Sequence, residues 1–103
     1  MTKREAYRQT VERWRYHAGM KGAENAHCGF CIYALQREAR YGYHKDAGCG
    51  YCLCYKVTGK SCFDWPPYRR WRQADCSFQE GRRRARNVLR ALRRVGKREG
   101  WDK

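Results

Sequence analysis

The sequence has no long hydrophobic run and little negative charge. No apolar segment approaches the ~20 residues that cross a membrane, and the first ten residues, MTKREAYRQT, lack the hydrophobic core of a signal peptide. We therefore expect a protein of the reducing cytoplasm that does not enter the membrane. In that compartment, closely spaced cysteines more often bind metal than form disulfides.

The sequence also lacks the residue sets on which most enzymes depend. None of its three histidines forms a recognisable pair, and it has no cluster of paired carboxylates and no Ser-His-Asp set. A phosphate loop is excluded as well, because Cys54 stands where GxxxxGK[ST] requires its first glycine before Gly59-Lys60-Ser61. We expect no enzymatic activity.

Cysteine, in contrast, is abundant, with seven residues in a chain of 103. Cys28-Gly-Phe-Cys31 is followed after seventeen residues by Cys49-Gly-Tyr-Cys52, a C-x2-C-x17-C-x2-C pattern within the spacing of structural zinc sites. Two such tight turns present four thiolates to one ion in a closed tetrahedral shell. The sequence predicts one structural Zn²⁺ bound by Cys28, Cys31, Cys49 and Cys52, although an all-sulfur shell would also accept iron.

The other three cysteines have no partner in this pattern. Cys54 and Cys76 are interpreted as small buried hydrophobes. Cys62 follows an alternating segment that turns at Thr58-Gly59, which predicts a short β-hairpin over residues 53–63. The hairpin would return Cys62 to the second cysteine pair, where it could replace one of the four ligands.

Two alternatives use the same side chains. The spare cysteines could form a second metal site with His17, His27 or His44. The Cys28–Cys31 pair also resembles a redox motif, but a thioredoxin-like fold needs flanking strand–helix units that the sequence does not show. Both alternatives are weaker than the single zinc shell.

Helical patterns flank the cysteine-rich centre at residues 27–63. A capping box at Thr2–Glu5 and apolar residues at helical spacing predict a helix over about 3–18. Further helices are expected from the first cysteine pair to Gly42, within residues 64–74 with proline in the first turn, and over about 80–98. The predicted fold is a small α-rich α+β domain, zinc-stapled, spanning residues 1–103, with two C-x2-C knuckles, one short β-hairpin and about four helices.

About half of the chain resembles a group of small cysteine-rich proteins encoded by phages and prophages. The matching residues are Cys28, Cys31, Cys49, Cys52, Thr58-Gly59, Cys62, Pro67-Tyr68, Trp71 and Ala74. Leu53 and Pro66 depart from the pattern, which usually has proline and threonine there. The resemblance implies a phage origin, hence a host-cell cytoplasm, and a structural role for Cys62, but it implies no particular activity.

Positive charge dominates the composition, with 24 basic against ten acidic residues and a net charge of +14. In the C-terminal segment, apolar residues fall on one helical face: Ala85, Val88, Leu89, Leu92 and Val95. Arginines are predicted on the opposite face, with two more flanking it: Arg82, Arg86, Arg90 and Arg93, flanked by Arg83 and Arg94. A face that served solubility alone would mix both signs of charge.

Arginine in this quantity points to phosphate, which its planar fork binds through two parallel hydrogen bonds. A second group of arginines alternates with aromatic residues at Arg69, Arg70 and Arg72. We expect a zinc-stabilised nucleic-acid-binding protein whose arginine faces contact phosphates. The alternative is a phage effector that binds a host protein complex, such as RNA polymerase, a defence nuclease or CRISPR machinery, through the same basic surface.

Overall fold

Five helices form the regular structure of the described residues. The structure, a computed structural model, describes residues 1–20, 28–42, 50–62, 64–73 and 78–102. In chain order the helices are α1 (Lys3–His17), α2 (Gly29–Tyr41), α3 (Leu53–Thr58), α4 (Pro66–Arg72) and α5 (Phe78–Glu99). Helix α1 packs against α5 and α2, α4 packs against α5, and α3 packs against α2. Helices α1 and α5 therefore form the centre to which α2 and α4 attach, and α3 is joined to it through α2.

The predicted β-hairpin over residues 53–63 is wrong. Leu53–Thr58 form helix α3, and the described ranges contain no strand. The neighbours Leu53 and Cys54 are both buried, whereas a half-buried strand would place them on opposite faces. Gly59 adopts a left-handed φ of 74° and donates its N–H to the Tyr55 carbonyl at 2.8 Å. Thr58-Gly59 thus ends a helix instead of turning a hairpin.

The α+β prediction is wrong for the same reason, because the described residues are helical throughout, with five helices where about four were expected. The described residues alone do not form the zinc staple that the fold prediction includes. Within the described ranges, no group of three or more His, Cys, Asp or Glu side chains is placed to hold a metal ion. The predicted ligand Cys49 lies outside the described residues. What holds the described helices together is an apolar core.

The core combines the inner faces of α1, α2, α3 and α5. Leu53 and Val88 are its largest fully buried side chains. Trp101, just after α5, folds back so that its ring centroid lies 6.0 Å from that of Tyr7 and 5.9 Å from that of Phe30. The chain after α5 thereby closes the core over the crossing of α1 and α2.

Helices α1 and α2 cross at very close range. A Cβ atom at Gly29 would collide with the Ala6 carbonyl oxygen, so glycine is required there. At the same crossing, the buried Thr10 hydroxyl donates to the Ala6 carbonyl at 2.8 Å and accepts the Phe30 N–H at 3.1 Å. The hydroxyl of α1 therefore satisfies an amide in the first turn of α2, where such groups have no partner within the helix.

Local signals set several helix ends. The Thr2 hydroxyl accepts the Glu5 N–H at 3.1 Å at the start of α1, as the capping pattern predicts. Pro66 occupies the first turn of α4. The apolar stripe predicted for α5 is confirmed, with Val95 half-buried at one end of it: Ala85, Val88, Leu89 and Leu92 are buried. None of the described helices combines the length and apolar character needed to span a bilayer.

Candidate functional site: the arginine helix and the thiol cluster

Helix α5, called here the arginine helix, turns its basic face to solvent. Its buried stripe packs against α1 and α4. All six arginines predicted to bind nucleic acid are exposed: Arg82, Arg83, Arg86, Arg90, Arg93 and Arg94. The packing of the apolar stripe therefore fixes which side of the helix presents positive charge.

A groove of about 540 Å³ runs between α4 and the arginine helix. Seven of its lining residues carry hydrogen-bond donors on guanidinium or amide side chains: Arg70, Gln73, Arg83, Arg84, Asn87, Arg90 and Arg94. No carboxylate is found among the described residues of the lining. The groove, called here the α4–α5 groove, is thus a concave surface with positive charge on both walls.

Arg84 braces the two walls of this groove. Its Nη1 donates to the Arg70 carbonyl at 2.6 Å, and its Nε donates to Glu80 Oε1 at 2.7 Å. Arg83 binds the same Glu80 oxygen at 2.7 Å, and hydrogen bonds from Arg83 and then Arg84 hold the pKa of the Glu80 carboxyl below its usual value. One carboxylate therefore offsets part of the charge of two groove arginines.

Three other groove arginines differ from Arg83 and Arg84, namely Arg70, Arg90 and Arg94. None of these three forms an ion pair with a residue of the described ranges. All three are exposed. Their guanidinium groups are the groove charges that an incoming anion meets without first displacing a carboxylate.

The structure divides the remaining predicted arginines between two other surfaces. Arg69 and Arg72 line a separate shallow concavity beside Asp64, so only Arg70 of the α4 group joins the groove. Arg82 lies against the end of α1, where a Cβ at Gly19 would meet its guanidinium. Burial and the charge of Asp102 raise the pKa of Tyr7 in α1, and the nearby charge of Arg93 opposes them.

The aromatic residues beside these arginines are used mainly for packing. Trp14 is 5% exposed. Its ring lies edge-on to Trp71 at 4.9 Å and to Tyr68 at 5.6 Å, which joins α1 to α4. Trp14 is therefore part of the core and is not a surface on which an unpaired base could stack.

The second candidate site is a group of five cysteines, called here the thiol cluster: Cys28, Cys31, Cys52, Cys54 and Cys62. None of these five forms a disulfide. In their thiolate forms, Cys28, Cys52 and Cys62 lie close enough to Cys31 to interact with it electrostatically, and the same three lie close enough to Cys54. Folding therefore brings together the two halves of the cysteine pattern within the described residues.

Cys28 and Cys31 form the closest pair of the cluster. The Cys31 thiol, hydrogen-bonded to Cys28, lowers the pKa of Cys28 to about 6 against the effect of burial. The amides of Cys31 and Phe30 and the Thr10 hydroxyl act in the same direction. The same hydrogen bond and burial raise the pKa of Cys31. Of the two thiols, Cys28 is thus the one that the surroundings favour as thiolate.

Four cysteines of the cluster line a cavity of about 450 Å³: Cys28, Cys31, Cys54 and Cys62. They surround this space rather than meeting at one point, consistent with the absence of a three-ligand metal group among the described residues. Burial raises the pKa of the Cys54 thiol to about 12, an effect opposed by its contact with the Thr58 hydroxyl at 3.8 Å. Cys54 is buried, as predicted, but it also belongs to the cluster.

Sequence reasoning missed three of these features. Cys54 was interpreted only as a hydrophobe, and its place in the cluster follows from helix α3, which the alternating pattern concealed. Arg84 and Asn87 were left out of the predicted interface. The Glu80–Arg84 spacing of four residues was a signal for an ion pair, but no sequence pattern indicates that Arg84 also reaches the Arg70 carbonyl. Cys49 and Cys76 lie outside the described residues.

Compared with family models, curated proteins and solved structures, the chain matches none. The resemblance to phage-encoded cysteine-rich proteins therefore stays a prediction. The geometry of the arginine helix and the thiol cluster carries the functional argument.

Proposed function

We propose that this protein binds nucleic acid through the exposed arginines of α5 and α4. One observation carries the proposal: the α4–α5 groove places arginines from two helices around one concave surface whose described lining has no carboxylate. Arginine binds phosphate oxygens through two parallel hydrogen bonds. A groove with such donors on both walls suits a phosphate backbone that runs along it.

The low acid content of the groove indicates a phosphate-binding surface more than a surface that serves solubility alone. Surface charges of both signs usually alternate, since one-signed fields repel themselves. Here Arg70, Arg90 and Arg94 gather without an ion pair to the described residues. Binding a polyanion removes this repulsion and releases the counterions condensed on the nucleic acid. The free energy of binding should then depend steeply on salt.

The test is a salt titration of binding to short duplex and single-stranded oligonucleotides. About five phosphate contacts on duplex DNA give a log–log slope near −4.5. The triple change Arg70→Gln, Arg90→Gln, Arg94→Gln should flatten that slope by up to about 2.7 units. The fold should survive, because Arg84 donates to the backbone carbonyl of Arg70 and not to its side chain.

A triple variant of equal charge provides the control. Arg4, Arg8 and Arg40 are exposed on α1 and α2, and their change to glutamine lowers the net charge from +14 to 14 − 3 = +11, as in the groove variant. The control should retain most of the slope. Equal flattening in both variants would mean that overall charge, not the groove, attracts the nucleic acid. If no DNA or RNA binds more tightly than about 10 μM near 150 mM salt, the proposal fails and the protein-effector alternative takes its place.

We also propose that the chain binds one Zn²⁺ through Cys28, Cys31, Cys49 and Cys52, with Cys62 as a substitute ligand. Three of these residues and Cys62 belong to the thiol cluster, and thiolates are the ligands zinc favours in closed sites. The ion would stabilise α2 against α3 and would have no open position for chemistry. Metal analysis of the purified chain tests this directly.

A further inference from the structure

Two pairs of consecutive arginines on α5 are spaced so that they form two rows along the helix, an arrangement that simple attraction of phosphate does not require. Consecutive residues of a helix point about 100° apart, and residues eleven apart point in nearly the same direction, roughly 16 Å further along the axis. Arg82-Arg83 and Arg93-Arg94 have this spacing. The helix therefore has one row of arginines along each flank of its exposed face.

The neighbouring residues show that the two rows lie beside different helices. Arg82 lies against the end of α1, and Arg93 acts on Tyr7 of the same helix. Arg83 and Arg94 line the α4–α5 groove on the other side. One row thus borders α1 and the other borders α4.

The exposed arginines between these two rows are called here the crest of the helix. Arg86 and Arg90 are four residues apart, point between the two flanks, and are exposed. Neither forms an ion pair with a described residue. The crest is therefore the exposed strip of α5 that lies between the two rows.

Resting on the proposed function, we infer that α5 enters the major groove of B-form duplex DNA. The flanking rows would contact the phosphates of the two strands, and Arg86 and Arg90 would face the base edges. The major groove of B-DNA is about 12 Å wide and admits an α-helix. Arginine on its floor binds guanine O6 and N7 through two hydrogen bonds.

Other nucleic acids fit this arrangement less well. A single strand presents one row of phosphates and leaves the second row of arginines unused. Double-stranded RNA has a deep and narrow major groove that protein side chains cannot read. Stacking on unpaired bases needs exposed aromatic rings. Trp14 is buried, and the exposed rings of Tyr16 and Tyr41 belong to α1 and α2, not to the arginine helix.

The decisive probe is a duplex whose pyrimidines carry bulky neutral groups at C5. These groups fill the major groove, where the thymine methyl normally lies, and leave every phosphate in place. We expect the unmodified duplex to bind at least about tenfold more tightly than the C5-modified duplex, the single strand or the double-stranded RNA of the same sequence. Equal binding to the modified and unmodified duplexes would overturn the insertion of α5 while leaving phosphate binding intact. A failure to bind any of these probes would instead refute the proposed function.

Two double variants separate the crest from the flanks. Arg93→Gln with Arg94→Gln should flatten the salt slope by up to about 1.8 units. Arg86→Gln with Arg90→Gln should flatten the slope by no more than about 0.9 unit, because of the two only Arg90 also lines the α4–α5 groove, but should reduce the preference for G·C-rich over A·T-rich duplex by about fivefold or more. Arg4→Gln with Arg8→Gln, on α1, is the control of equal charge, and far-UV circular dichroism checks the fold of each variant. Equal effects of the crest and flank variants on both readouts would overturn the assignment of roles.

Discussion

The thiol cluster and the arginine helix face different surroundings within one small chain. Cys52 and Cys54 are each 6% exposed, whereas the side chain of Arg83 is 66% exposed. A neutral thiol behaves as a small hydrophobe and tolerates burial, but a guanidinium has to remain hydrated or paired. We therefore expect changes at the thiol end to act on folding and changes on the arginine helix to act on binding.

The largest effect should come from removing metal at the thiol end. We expect one zinc per purified chain, and Cys28→Ser or Cys52→Ser should lose both the metal and most of the stability. Metal binding in small domains contributes directly to folding, with apparent values of about 10–16 kcal/mol in zinc-finger peptides. Elemental analysis and far-UV circular dichroism with and without chelator are the measurements. A metal-free sample with unchanged dichroism and melting temperature would contradict the prediction.

Cys62 distinguishes the two possible ligand sets. If the shell consists of Cys28, Cys31, Cys49 and Cys52, Cys62→Ala should retain one zinc per chain and lose only packing. Loss of the metal in this variant would instead place Cys62 among the ligands.

The next largest effect tests the core beside the cysteines. Leu53 in α3 is 1% exposed, so Leu53→Ala should lower the free energy of unfolding by about 2–5 kcal/mol. Leu35→Ala in α2 is the control, because Leu35 is 63% exposed and such changes usually stay within about 0.5 kcal/mol. Urea denaturation measures both. A Leu53 variant that matched the Leu35 control would show that α3 contributes little to the core.

A smaller effect is expected at the crossing of α1 and α2. Thr10→Val keeps the shape of the side chain but removes the acceptor of the buried Phe30 N–H, which should cost about 1–3 kcal/mol. Thr10→Ser restores a hydroxyl and should recover most of that loss. Faster hydrogen exchange of the Phe30 amide in the valine variant would identify the hydrogen bond itself as the cause; unchanged exchange would contradict it.

The smallest change in stability is expected for a substitution on the arginine helix. The same substitution should destabilise the fold slightly and strengthen binding to nucleic acid. Glu80→Gln breaks surface ion pairs to Arg83 and Arg84, and because solvent screens such pairs, the free energy of unfolding should fall only slightly. The charge of both arginines then becomes available, and the salt slope should steepen by about one unit.

Glu12→Gln adds the same charge on α1 and is the matched control for this prediction. Its carboxylate lies 4.0 Å from Arg15, and Glu12 is not among the described residues that line the groove. A salt slope that steepened equally in both variants would show that the ion pairs of Glu80 do not restrain the groove arginines.

The helices could be predicted where local chemistry sets their ends. Thr2 caps α1, Pro66 starts α4, and the apolar spacing of α5 shows which face is buried. Helix α3 could not be predicted in this way. Alternation over Leu53, Tyr55 and Val57 fits a strand, and only packing against α2 shows that Leu53 and Cys54 are buried on the same side.

The candidate site was predictable in composition but not in arrangement. The sequence identifies the arginines of α5 from their periodicity. It does not show that Arg70 joins them while Arg69 and Arg72 lie elsewhere, since that depends on how α4 packs against α5. For the cysteines, C-x2-C spacing indicates which pairs act together. The inclusion of Cys54 in the thiol cluster depends on helix α3, which the alternating sequence pattern does not predict.

The brace formed by Arg84 has a consequence for the entropy of binding. A long side chain that becomes ordered on association costs about 0.5–1.5 kcal/mol. Arg84 already donates to the Arg70 carbonyl and to Glu80, so its rotamers are restricted before any ligand arrives. Because α4 and α5 are fastened at this point, the groove keeps one shape in the unbound protein. A rigid charged concavity selects ligands by the spacing of their anionic groups, whereas a flexible arginine tail would adapt to any of them.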